Sequence, residues 1–332
     1  LRCAMLARKW QTGPEDGPIW SRLGHDGGVI DVAAVLQPEL TEVNRLPARP
    51  PLTPYPDVDS ARDGVGTPWR RSLDGAWRFR LVPSPSAAPA RWMHPTTSDA
   101  RWRTIDVPGC WTRQDTGDLP HYTNIVMPWP ETDAPYSPPE NPTGLHRTTF
   151  SVPRAWRNRD VIVHLGGAES VAIVWCNGAF VGMGKDSRLP SEFDLTPHLV
   201  SGTNLLAVMV IRYSDATWIE DQDHWWHAGL HRSVYLEARG RTRIDDLHVG
   251  ADFDAATGIG RLSVRAHVHG STGAESIRTW LETPAGTRVG AVLDAEVADR
   301  GRGSQFEEVL TAVTHPGPVA SASVDLVKIR PW

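Results

Sequence analysis

The stretch WIEDQDHWWHAGLHRSVYLEA, residues 218–238, concentrates Glu220, Asp221 and Asp223 with His224, His227 and His231 and with Trp218, Trp225 and Trp226. These side chains could serve paired-carboxylate hydrolysis, a metal cluster or a sugar-stacking platform. Retaining glycoside hydrolysis requires two carboxyl groups about 5–5.5 Å apart across a sugar. Glu220 and Asp221 are adjacent, so on a strand they point to opposite faces, whereas Asp221 and Asp223 share one. A loop would lift that restriction. The competing assignment is that the acids cap turns or accept from backbone amides, which is what Asp most often does in loops. The histidines spell H-x2-H-x3-H, without the fourth ligand of a structural zinc site or the HExxH of a catalytic one. Composition therefore weighs toward histidines that are satisfied locally or lie at the surface.

The remaining chemistry is sparse. No GxSxG, no GxxxxGK[ST] and no GxGxxG set between a strand and a helix occurs. Cys176 lies inside an apolar run, where thiols are inert packing. Two polar residues in stiff loops are better candidates. Asn124 sits in LPHYTNIVMPWP, whose prolines restrict the loop, and its amide can both donate to and accept from a sugar hydroxyl. An Asx turn competes, and on composition alone it weighs more. Asp186 follows two glycines in GMGKDSRLPSEFDL, at a sharp loop. A structural Arg–Asp pair competes there.

The elements that must position these residues read as strands. GAWRFRLV alternates Trp77, Phe79 and Leu81 with Arg78 and Arg80, the period of two expected when one face is buried. VAIVWCNGAFVG is apolar at even and odd positions alike over Val171–Cys176, which predicts a central strand covered on both sides. Its Asn177-Gly178 predicts a tight hairpin, because a type I′ turn needs positive φ at both central positions. HRTTFSVP, DVIVHLGG, NLLAVMVIRYS and RSVYLEA continue a β-sandwich rhythm. RGRTRIDD then breaks the pattern, and RLSVRAHVHG restarts it with Leu262, Val264, Ala266 and Val268 on one face. The expected organisation is an irregular lead-in over 1–38, a sandwich over 39–238 that begins with a proline-rich strap, and a second sandwich over 239–332. No helix-period segment exceeds two turns.

Bulk composition narrows the partners. The 332 residues carry a net charge of -5, with no long Lys/Arg block, which excludes a nucleic acid or anionic membrane held by electrostatics. Fifteen Trp against five Tyr and six Phe suits sandwich cores and carbohydrate platforms alike. The three cysteines form no CxxC pair and cannot all be bridged, which predicts a reducing, cytoplasmic setting. No apolar run approaches the roughly 18 residues of a membrane span.

Taken in order, PHYTNIVMPWP, PPENPTGLHRTTFSVP, VWCNGAFVGMGKDSRLPSEFDLT, NLLAVMVIRYSDATWIEDQDHWW and GLHRSVYL resemble the N-terminal half of the bacterial β-galactosidases of glycoside hydrolase family 2. KDSRLPSEFDL and EDQDHWW are long strings of low degeneracy, so the resemblance is specific. It implies an all-β fold, a galactose-binding-like jelly roll to about residue 238 followed by an immunoglobulin-like sandwich. In the family a (β/α)8 barrel follows, bearing the acid/base Glu, the nucleophilic Glu and magnesium. The barrel signature resembling NxRxSHYP does not occur in these residues, so no catalytic residue is expected here and this portion by itself is expected to be inactive. Asn124 matches the asparagine that reaches the barrel's active site. Asp186 matches the aspartate that contacts galactose hydroxyls and helps hold sodium once the barrel is present. The implied partners are a galactoside, the barrel and, in the full-length protein, further copies in a homo-oligomer. A free-standing galactose-binding module is the alternative. The resemblance also makes the acids of residues 218–238 structural and leaves Trp225, Gly229, Leu230 and Arg232 to pack and pin a closing strand.

Overall fold

The computed structural model describes residues 32–64, 66–123, 126–220, 222–254, 256, 259–270, 275–282, 288–296, 307–309 and 321–328. The chain divides into two compact units, neither of them one continuous stretch. The first comprises the described residues up to Pro47, Arg71–Arg154 and Val161–Glu237. The second comprises Ala48–Arg70, Ala155–Asp160 and the described residues from Ala238 onward. The fold is nearly all β.

The first unit is built on a seven-stranded sheet in the order Glu42–Val43, Ala179–Lys185, Val171–Cys176, Thr203–Ile211, Thr143–Ser151, Gly75–Val82 and Arg103–Val107. Every pairing in it is antiparallel. Val171–Cys176 lies inside the sheet with all six residues buried, as its two-sided apolar pattern requires. Val171, Ile173 and Trp175 point into one cluster with Trp92, Leu145 and Met209. The alternate residues face the other way. There a second sheet runs in the order Ser191–Asp194, Asp160–Leu165, Val234–Arg239 and Arg70–Ser72. Its Phe193 is fully buried, and a Cβ on Gly182 of the first sheet would come within 2.6 Å of that ring. Only glycine permits so close an approach of the two layers. Burying a side chain of this size stabilises the sandwich by roughly 1.5–3 kcal/mol.

The hairpin forms as its sequence predicts. Asn177 and Gly178 have φ of 54° and 87°, and Asn177 Nδ2 donates to His198 O while its Oδ1 accepts from Leu205 N, each at 2.9 Å. In Gly75–Val82 the buried positions are Trp77, Phe79 and Val82, with Leu81 half-buried. Two buried indoles find polar partners: Trp77 Nε1 donates to Leu73 O at 2.8 Å and Trp111 Nε1 to Asp118 Oδ2 at 2.7 Å.

In the second unit one sheet pairs Ile259–His269 with Arg243–Asp254 and Glu307–Val309, and another pairs Glu275–Glu282 with Arg288–Glu296 and Ser321–Lys328. Ala266 and Ile277, one from each sheet, form a shared buried core with Ile244, Leu247 and Val268 against it. Arg243 anchors the start of the first of these sheets through Asp160 at 2.7 Å and Asp245 at 2.8 Å.

Short strand pairs gather the loops of the first unit. Trp225–Trp226 pairs with His121–Tyr122, and Gly229–Leu230 lies between Gly109–Cys110 and Ala168–Glu169. Gly229 adopts φ 135°, and a Cβ there would meet Gly109 O at 2.6 Å, so glycine is required. These pairs bring residues 109–122, 168–170 and 225–230 together.

Candidate functional site

Strand Ala179–Lys185 ends at Lys185, and the chain turns at Asp186 with φ 143°. That region of backbone space is strained for any residue with a Cβ, at about 1–3 kcal/mol. Its neighbours hold it there. Asp186 Oδ1 accepts from Arg188 N at 3.0 Å and Leu189 N at 2.9 Å, while Arg45 Nη2 lies 3.8 Å from Oδ2. Arg45 also donates to Pro190 O at 2.9 Å. On the strand side, Lys185 Nζ donates to Gln37 O at 2.7 Å and pairs with Asp215 at 2.6 Å. Beyond the turn, Ser187 donates its N–H to Glu220 Oε1 at 2.9 Å and its hydroxyl to Oε2. His231 Nε2 donates to Ser187 O at 2.7 Å, and Arg232 Nη1 donates to Arg188 O at 2.8 Å. Three separate chain segments, 37–45, 215–220 and 231–232, thus fix one turn.

Beside it lies a crevice of about 10 Å³, room for about one water molecule, lined by Glu169, Ser187, Arg188, Arg212, Tyr213 and Trp226, among others. Glu169 is buried, and burial raises its carboxyl above the ordinary range, opposed by the charge of Arg188, whose Nη1 is 3.4 Å away. Arg212 is anchored by Asp118 and by donation to Leu119 O at 2.9 Å. The Tyr213 phenol is pushed up to about 12 by burial, and so stays a neutral hydroxyl, 3.1 Å from His121 Nδ1. Glu169 and Glu220 are both committed to protein partners.

The histidines scatter among separate partners. His224 Nδ1 lies 2.9 Å from Trp225 O and its Nε2 3.1 Å from Arg188 Nη2. His227 Nδ1 lies 3.1 Å from Thr112 Oγ1, and His231 holds Ser187 O. Burial lowers the proton affinity of His227 and His231. Among the described residues no group of three His, Cys, Asp or Glu could hold a metal. Of the acids, Glu220 clamps Ser187 and Asp223 accepts from the Tyr122 hydroxyl. Asp221 and Asn124 lie outside the described residues.

One expectation is corrected. Gly229 and Leu230 are buried and Arg232 pins the Asp186 loop, but Trp225 is 56% exposed. It pairs with Tyr122 at a ring separation of 5.5 Å on the outside of its short sheet. Alternation along the two-residue strand sends Trp226 inward to Trp129, so Trp225 must face out. The Asp186 carboxylate finds its arginine at Arg45, not at the neighbouring Arg188. Arg45, Glu169 and the Ser187–Glu220 clamp carry no sequence signal, because their partners are remote or ordinary in type.

Residues 70–239 match the family profile of the glycosyl hydrolases family 2, sugar binding domain. The chain is 39% identical over 231 residues to a β-galactosidase of Photobacterium profundum, covering 70% of this chain and 22% of that protein. It is 40% identical over 228 residues to one of Vibrio vulnificus strain YJ016, covering 68% and 22%. A β-galactosidase of Erwinia tasmaniensis is 41% identical over 214 residues, covering 64% and 20%. The chain therefore spans about a fifth of the length of these relatives. By fold it is similar to a Bacteroides uniformis β-glucuronidase, with TM-score 0.54, 19% identity, and coverage of 78% of this chain and 27% of that one. A Bifidobacterium dentium β-glucuronidase complexed with coumarin-3-O-glucuronide gives TM-score 0.55 at 19% identity, covering 80% and 49%. With the profile matching just over half of its residues, the chain belongs to glycoside hydrolase family 2 and carries that family's sugar-binding domain.

Proposed function

We propose that this chain is the N-terminal, non-catalytic portion of a β-galactosidase that hydrolyses terminal β-D-galactosides with retention in its full-length form. Residues 39–238 are its sugar-binding jelly roll and 239–332 an immunoglobulin-like domain. A (β/α)8 barrel elsewhere in the full-length protein supplies the acid/base and nucleophilic glutamates, and this chain lends it Asn124 and Asp186 as galactose contacts. The observation that carries the reading is the Asp186 turn. Strain at φ 143°, held by three segments, is a cost that packing alone does not require, and such strain clusters at ligand sites. Relatives about 40% identical through this region are named β-galactosidases.

In this reading Asp186 Oδ2 accepts a galactose hydroxyl proton, a contact worth about 1.5–3 kcal/mol, which binds and orients but does not break a bond. Oδ2 accepts no backbone donor in this turn, so it fits as one oxygen ligand of a sodium ion, which would offset the carboxylate charge and leave Oδ1 on the loop. Magnesium belongs with the barrel. The full-length protein is a cytoplasmic homo-oligomer. Among the described residues, no helix is long and apolar enough to cross a membrane.

The test is hydrolysis of a chromogenic galactoside. The purified 332-residue chain is expected to be silent, and cleavage by it, with contaminating enzyme excluded, would overturn the reading. Galactose titrated calorimetrically into the same chain is also expected to give no heat. Binding at millimolar affinity or tighter identifies a free-standing galactose-binding module instead.

A further inference from the structure

We propose that a groove on the seven-stranded sheet binds a small molecule carrying an oxyanion, a phosphate or a carboxylate, between Arg78 and Arg147. These arginines lie directly opposite each other on the neighbouring strands Gly75–Val82 and Thr143–Ser151, so their side chains share one face of the sheet. Like charges placed in this way repel, and an anion between them turns the repulsion into two attractions. The groove on that face measures about 380 Å³, within the range of small-molecule sites. Both arginines line it, with Asp99, Thr104 and Thr149. Thr104 lies opposite Arg78 on the strand beyond, and Thr149 follows Arg147 two residues on, on the same face. Each hydroxyl can donate to an anion oxygen. Arg147 is 3% exposed, and Asp99 at 3.3 Å answers its charge. Its Nη groups donate to Thr97 O at 2.8 Å and His94 O at 3.2 Å, while Nε has no partner among the described residues. That web fixes one guanidinium before any ligand arrives. Arg78 is exposed, donates to Trp102 O at 3.4 Å and forms no ion pair among the described residues. Asp99 is thus the one carboxylate lining the groove against two guanidinium groups. Arg80 and Asp106, next along their strands on the same face, offset each other and leave that excess in place. A positive groove with planar guanidinium forks selects a carboxylate or phosphate over a neutral sugar. It shares no lining residue with the crevice beside Asp186.

The test is calorimetric titration of the purified chain, in about 0.15 M NaCl, with glucose 6-phosphate, with gluconate and, as the neutral control, with glucose. At least one of the two anions is expected to bind with a Kd below about 10 mM, and glucose is expected to give no heat. Binding of glucose 6-phosphate alone identifies the phosphate as the group recognised, binding of gluconate alone the carboxylate, and binding of both the oxyanion they share. Arg78→Ala removes one fork at an exposed position and should weaken the bound anion at least about fivefold. Arg78→Lys keeps the charge without the fork and should fall between that variant and the parent. Without ligand, Arg78→Ala should unfold at a urea concentration no lower than the parent's, because it relieves the like-charge pair, so a lost affinity is not a lost fold. If neither anion binds below about 10 mM, if glucose binds as tightly as they do, or if Arg78→Ala loses less than about fivefold, the site is wrong.

Discussion

The strain at Asp186 can be measured by comparing two substitutions there, Asp186→Gly and Asp186→Ala. Both delete the carboxylate, and with it the bonds to Arg188 N and Leu189 N and the approach of Arg45. Those losses cancel in the comparison. What differs is the backbone. Alanine must still adopt φ 143°, a conformation that costs about 1–3 kcal/mol for a residue with a Cβ. Glycine pays no such penalty but loses about 0.4–1 kcal/mol more conformational entropy on folding. The Gly variant should therefore be the more stable by about 0.5–2 kcal/mol, the reverse of the usual order of Ala over Gly. Urea unfolding of the chain, followed by tryptophan fluorescence and compared at equal slope, reads the difference as a shift in midpoint. If the Ala variant unfolds at the same or a higher urea concentration, the turn is not strained and the argument built on it fails. Asp186→Asn, which keeps an acceptor for both amides, should lie within about 1 kcal/mol of the parent, because an arginine at 3.8 Å from a partly exposed carboxylate contributes little.

Three further outcomes follow from the same structure. Asn141 is fully buried and its amide pairs both Tyr213 O, at 2.8 Å, and Tyr213 N, at 2.9 Å. Asn141→Ala orphans both groups and should cost about 2–4 kcal/mol in urea unfolding, and a loss under 0.5 kcal/mol would refute that account. The imidazole of His146 is pushed down to about 4 by burial, which outweighs its bond to Gly144 O. Its native proton affinity lies below the unfolded value near 6.5, so the unfolded chain takes up the proton first. Stability from this site is present above pH 6.5 and is lost as pH falls toward 4, by up to about 3 kcal/mol; His146→Phe should flatten that part of the stability–pH curve, and an unchanged slope counts against the assignment. Burial also pushes the Cys176 thiol up to about 12 and, with the Glu169 charge adding to burial, the Cys110 thiol up to about 11. At pH 8 iodoacetamide should alkylate both at least about 100-fold more slowly in the folded chain than in urea, as followed by peptide mass spectrometry, and equal rates would contradict their burial.

Much of the first sandwich was legible because its signals are local. Two-sided apolar character placed Val171–Cys176 inside the sheet, and Asn177-Gly178 announced the hairpin, since both depend only on neighbours along the chain. The loop at Asp186 was legible as a sharp turn from its glycines. The fate of the EDQD acids and the three histidines was legible only in outline. Residue type shows that a carboxylate or an imidazole needs a partner, yet Glu220 finds its own in Ser187, 33 residues earlier, and His227 in Thr112, 115 residues away.

Sequence alone determined the all-β class, the rhythm of the strands and the family, because alternation, turn residues and long low-degeneracy strings are properties of the chain read in order. Tertiary structure alone decided that Trp225 faces out while Trp226 faces in, that Arg45 and not Arg188 meets the Asp186 carboxylate, and that Glu220 braces the turn. Those outcomes depend on which remote segments the two sheets bring together. A side chain's partner is chosen by distance in space, and a sandwich folded from non-local pairings sets that distance almost independently of separation along the chain.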